Sequence, residues 1–168
     1  EVTKYVNDLG GKIVAASPDR HQSFEFFVLQ DNTLNAFAMP GGYIGVHTGL
    51  LLAAQSESEV AAVLAHEVSH VTQRHIARML GKQSDASVAS IAAMVIALIA
   101  ARSSPDFAQL TLATATAGAI QAQLNYSRDF EREADRVGFQ LLNDAGFDAH
   151  AMAAFFERML KVGRLQEN

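Results

Sequence analysis

Apolar residues at helical spacing open the chain: Val2, Tyr5, Val6, Leu9, Ile13 and Val14 predict an amphipathic helix over residues 2–16. Residues 23–30 (Ser-Phe-Glu-Phe-Phe-Val-Leu-Gln) then read as a strand, closed by the turn pair Asp31-Asn32. A second strand runs from Leu34 to Met39 and stops at Pro40-Gly41-Gly42, and a third spans Tyr43 to His47. From there the pattern is helical. Ser56 and Glu59 have the spacing of a capping box, so a helix is expected to start there and run to about Leu80. Residues 88–101 are almost wholly apolar, Ser103-Ser104-Pro105 interrupts them, and a further helical stretch covers about 107–124. A charged helix follows over about 127–143, stopped near Gly146, and Asp148 reads as the N-cap of a last helix over 149–162. The fold class this predicts is α+β, mostly helical, with a small N-terminal β-sheet. The whole of 1–168 reads as a single domain, long enough to bury a sizeable core.

Composition narrows the functional classes. Hydrophobic residues make up 49% of the chain, which fits a folded globular domain. A net charge of −5 counts against nucleic acid as a partner, because such proteins carry a basic face. There is no cysteine, so neither a disulfide framework nor a thiolate metal site is available. The chain opens on Glu1 without a signal-peptide pattern, so either a removed leader or an excised segment is expected, and the natural protein is expected to continue past Asn168.

The chemistry concentrates in the capped helix. Residues 66–70 read His-Glu-Val-Ser-His, a complete H-E-x-x-H. Positions i and i+4 leave one face of a helix, about 6 Å apart along its axis. His66 and His70 can therefore converge on a single ion such as zinc, while Glu67, about 100° around, is placed to reach a water that the ion holds. A third ligand is needed. The spacing of the metzincins puts a histidine where this chain has Ile76, so that class fails. His75 lies about 180° around the helix from His66 and reads as a structural histidine. The remaining option is a carboxylate on a later helix, as in the two-histidine, one-glutamate sites. Tyr126-Ser-Arg-Asp-Phe-Glu-Arg-Glu-Ala-Asp135 offers Glu131 and Asp135 at i, i+4 on one face. As a solvated face with Arg128 and Arg132 for partners, the pair would be ordinary; a metal ligand backed by an outer carboxylate accounts for it better.

At this point the chain resembles a known family. His66-Glu67-x-x-His70, Tyr126-Ser127-Arg128-x-x-Glu131-x-Glu133-Ala134-Asp135, and Asn35-Ala36-Phe37-Ala38-Met39-Pro40-Gly41-Gly42 occur in the order found in the gluzincins typified by HtpX and the CAAX prenyl proteases, nearest to the periplasmic BepA-like members. The resemblance implies a zinc endopeptidase, with Glu131 rather than Glu133 as the third ligand and Asp135 orienting a zinc histidine. It also implies protein or peptide substrates, an envelope or periplasmic setting and a role in protein quality control. BepA-like proteins add a tetratricopeptide domain and a regulatory histidine on a loop beyond the last helix here, so the chain is read as the protease domain of a longer protein. Within the mechanism, Glu67 is expected to act as general base. A second oxyanion donor is expected too, with His150 and Tyr43 as candidates. Asn35, Ala36, Phe37, Ala38 and Met39 are expected to form an edge strand that binds substrate in extended form, since main-chain hydrogen bonds suit a protease that reads many sequences.

Two other classes stay in view. A zinc-binding chaperone or scaffold could keep the ligands but would have no need of Glu67. An integral membrane protein would rest on residues 88–101, an apolar run of about 14 residues against the ~20 needed to span a bilayer. Residues 86–124 read instead as a helical hairpin beside the active site, either simply core or else a lid, a docking surface for a partner such as an envelope complex, or a contact to membrane.

Overall fold

The structure, a computed structural model, describes residues 1–19, 21–82 and 127–166. Helix α1 spans Val2–Ala16 and buries Val6, Leu9 and Ile13 of the expected stripe, with Gly10, while Val2 and Tyr5 are exposed. Strands β1 (Glu25–Leu29), β2 (Ala36–Met39) and β3 (Tyr43–His47) form a three-stranded sheet in the order β1-β3-β2. β1 runs parallel to β3 and β2 antiparallel to it. A short helix α2 (Thr48–Ala53) leads to α3 (Glu57–Thr72). Residues 75–82 are helical (α4), as are 127–144 (α5), and α6 covers His150–Gln166. Among the described residues the expected elements are present, with the ends of β1 and the start of β2 trimmed by one or two residues and the last helix longer than its expected end at 162. The apolar stretches 88–101 and 107–124 lie outside the described residues.

The chain divides into two compact units, one of Glu1–Arg74 with Arg132–Asn168 and one of His75–Glu131. The first holds a continuous core. Val6, Leu9 and Ile13 of α1 meet Phe26, Ile44 and Val46 on one sheet face, and Val60, Leu64 and Val68 of α3, with Leu141, Leu142, Met152 and Phe155, complete it. On the other sheet face Gly45 stands between Phe27 and Phe37, whose rings would meet a Cβ there at 2.9 and 2.6 Å. In the second unit His75, 2% exposed, stacks on Phe130 with ring centroids 4.5 Å apart, the structural role its helical position suggests.

One expectation needs correcting. The helix carrying the H-E-x-x-H pattern does not run on to Leu80: α3 ends at Thr72, with Gln73 as its C-cap. Arg74 follows with φ of 56°, a left-handed conformation that costs an L-residue roughly 1–2 kcal/mol. Local hydrogen bonds prepare the break: the hydroxyl of Ser69 donates to Ala65 O and that of Thr72 to Ser69 O.

The start of α3 is held as expected. Ser56 Oγ accepts from Glu59 N–H at 3.3 Å, and Glu59 Oε2 accepts from Gln55 N–H at 2.6 Å, one residue earlier than in the usual reciprocal cap. Glu59 is buried, and Arg158 of α6 donates to the same carboxylate oxygen. The guanidinium of Arg158 holds the Glu59 carboxyl below the usual carboxylate range; burial opposes this and the Gln55 N–H adds to it. A lowered folded-state value stabilises above the unfolded pKa of about 4.3 and is lost as pH falls through the folded value. Glu59→Gln is therefore expected to cost about 1.5–3 kcal/mol at neutral pH. Urea melts across pH are expected to show that gap closing as the medium becomes more acidic than the unfolded value; a gap that persists in acid would contradict the charge-based account.

Candidate metal centre

The H-E-x-x-H residues sit in the middle of α3, where the helix passes from fully buried (Val60 to Ala65) to half-buried (His66, Glu67 and His70). Val68 and Ser69 anchor the same turn in the core, so the histidine face is set by packing on its opposite side. His66 Nε2 lies 3.0 Å from His70 Nε2, and the ring centroids are 4.7 Å apart. Two ligands at 2.0–2.1 Å in a tetrahedral shell stand about 3.3 Å from each other, so the two nitrogens need only a small adjustment to share an ion.

The other ring nitrogen of His66 is sealed from solvent and lies 3.0 Å from Asp135 Oδ1 on α5. A carboxylate there favours the proton on Nδ1 and leaves the Nε2 lone pair facing His70, the tautomer a metal requires. Glu131 stands one turn before Asp135 on the same helix. Ligand atoms of His66, His70 and Glu131 all lie within 4.8 Å of one another; neither Glu133 nor His75 belongs to this group. Two imidazoles with one carboxylate, in a chain lacking thiolates, are a donor set that suits zinc.

Two neighbours of the histidines were not singled out by their residue types. Phe156 of α6 sets its ring edge-on to His66, with centroids 5.4 Å apart, and Gly138 of α5 lies against the His66 backbone. The aromatic had no distinguishing sequence signal; a glycine inside a helical pattern did carry one. Of the two oxyanion candidates, Tyr43 is on β3 opposite Met39, and His150 is exposed at the first turn of α6, where its N–H donates to Asp148 Oδ1.

The segment expected to bind substrate is β2, preceded by Asn35, and it is an edge strand among the described residues. His47 N–H donates to Asn35 O, which makes Asn35 and His47 a hydrogen-bonded pair. Such pairs alternate along an antiparallel ladder, so the backbone N–H and C=O groups of Ala36 and Ala38 point away from β3 toward the open edge. Helix α3 packs against this strand. No described helix is long and apolar enough to cross a membrane.

Comparison with known proteins places the whole chain in a family. Over 158 residues the chain is 47% identical to a candidate beta-barrel assembly-enhancing protease of Vibrio cholerae, an alignment covering 94% of this chain and 33% of that protein. It is 36% identical over 163 residues to the beta-barrel assembly-enhancing protease of Escherichia coli, covering 97% of this chain and 34% of the relative. The mitochondrial metalloendopeptidase OMA1 of Schizosaccharomyces pombe is 35% identical over 157 residues, covering 94% of this chain and 44% of the relative. The chain thus spans about a third of the length of the first two. A model of peptidase family M48 matches residues 2–166. The chain belongs to peptidase family M48, a family of metallopeptidases.

Proposed function

We propose that the protein is a zinc-dependent endopeptidase that hydrolyses peptide bonds of protein substrates, with His66, His70 and Glu131 as metal ligands and Glu67 as the acid–base residue. The observation that carries the reading is the pair of facing Nε2 atoms, backed by a carboxylate on the far nitrogen of His66. Zinc, when bound, supplies a Lewis acid that acidifies water toward a pKa of about 7 and polarises the substrate carbonyl. The chain's own residues do the rest. Asp135 holds the His66 ring in one tautomer and orientation. Glu67 takes the proton of the attacking water and passes it to the nitrogen of the leaving amine. Ala36 and Ala38 offer main-chain donors and acceptors to an extended peptide running alongside β2. Two relatives are named for enhancing beta-barrel assembly, and with that support the proposal gives this protein an envelope setting and a part in protein quality control. The same proposal reads 1–168 as one protease domain, with the apolar sequence of 86–124 as its contact to membrane or an envelope complex.

Digestion of a peptide library by the purified chain, read by mass spectrometry, tests this directly. Cleavage is expected to stop with a zinc chelator and to return with added zinc. A zinc-loaded chain that cleaves nothing would favour a zinc-binding chaperone or scaffold instead.

The edge strand makes a separate prediction. Ala38→Pro removes an N–H that faces the open edge while leaving the β3 ladder intact. The expected result is a raised KM or abolished cleavage, with melting little changed. Parallel loss of folding and activity would make β2 an ordinary core strand.

A further inference from the structure

Gly138 stands in the interior of α5, a position where glycine costs about 1 kcal/mol relative to alanine. Its backbone does not take up positive φ, unlike Gly41, Gly42 and Gly146, so conformational freedom does not explain it. What it lacks is the explanation. A Cβ at 138 would sit 3.1 Å from both Cα and N of His66 and 3.2 Å from C of Ala65. Carbon atoms settle at about 3.5–4.0 Å, and here the obstacle is the main chain of a buried helix, which cannot turn aside as a side chain does. Three residues earlier on the same helix, Asp135 Oδ1 reaches Nδ1 of His66 at 3.0 Å. A close approach of the two backbones and the carboxylate contact thus fall on one residue, His66.

We infer that Gly138 is a positioning residue for the metal centre: the missing Cβ sets the spacing of α5 from α3 at which an aspartate at 135 is the right length to orient His66. This rests on the reading of His66 as a zinc ligand. A methyl group at 138 pushes α5 away by several tenths of an ångström. The 3.0 Å approach of the carboxylate to Nδ1 then lengthens, and its hold on the ring weakens.

The test is zinc affinity, measured by competition between the full chain and a chromophoric chelator with Zn²⁺ as the probe. Gly138→Ala is expected to weaken zinc by about 10–100-fold, the usual cost of losing a partner behind a metal ligand. Adding Asp135→Glu to it, which lengthens the carboxylate by one methylene, is expected to restore part of that affinity. Unchanged affinity in a folded Gly138→Ala chain overturns the inference, as does a double variant no tighter than the single one, since general loosening of the fold would not be rescued by reach. Should Gly138→Ala fail to fold, Asp135→Glu alone decides: with the spacing intact it is expected to weaken zinc, and wild-type affinity overturns the inference. A wild-type chain that binds no zinc would remove the metal-site reading itself, a result distinct from all of these.

Discussion

Glu67→Gln is expected to leave the fold and zinc content as they are and to cut peptide hydrolysis by about 10²–10⁴-fold, the usual share of general acid–base catalysis. Glutamine keeps the size and shape of the side chain, and Glu67 leaves α3 about 100° around from His66, outside the pair of converging imidazoles. The substitution therefore takes away the basic oxygen without touching the donor set. A binding scaffold would not need the carboxylate of Glu67 for its function, so this variant also separates the two functional classes. Steady-state kinetics on a fluorogenic peptide, with zinc measured in the same preparation, give the answer. Turnover like the wild type's would end the acid–base assignment; lost activity accompanied by lost zinc would show that Glu67 acts through the metal site's integrity.

Glu131→Ala is expected to strip most of the zinc from a chain that otherwise binds it near-stoichiometrically. The carboxylate is the one charged donor in the proposed set. Two neutral imidazoles alone neither compensate the dication nor fill three positions of a tetrahedral shell. Glu131→Gln, which retains only a weak amide oxygen, is expected to bind zinc poorly as well. Glu133→Ala is the matched control, two residues along α5 and absent from the cluster of ligand atoms, and it is expected to keep full zinc. Metal analysis after gel filtration reads all three variants. Full retention in Glu131→Ala would sink the ligand assignment, and loss in Glu133→Ala instead would move it to that residue.

Much of this was legible in the residues because it depends on short-range geometry. The stripe of Val6, Leu9 and Ile13 sets α1, and Gly146 with φ of 83° ends α5 where the sequence marks a stop. Ser56 and Glu59 start α3 because capping spans only three residues. His66 and His70 face each other because a helix brings i and i+4 together wherever it lies. The end of α3 was less legible. Its apolar period continues past Thr72, while the break at Gln73 and Arg74 comes from hydroxyl hydrogen bonds and from burial of His75, which no periodicity registers.

From the sequence alone came the fold class, the order of elements, the histidine pair and its neighbouring glutamate, and the carboxylate-bearing helix that had to answer them. Its motifs also carried the family resemblance that the comparisons bear out. Tertiary structure decided which atoms meet. Asp135 is 69 positions from His66 in the chain, and only the packing of α5 on α3 brings its oxygen to Nδ1. Phe156 against the ring and Gly138 against the backbone were settled in the same way. The open backbone edge of β2 depended on which strand took the centre of the sheet. Periodicity and capping are properties of a few neighbouring residues and are written in their order. A contact between distant helices depends on how their whole surfaces fit, and a single residue type such as glycine states its role only when the surface it faces is known.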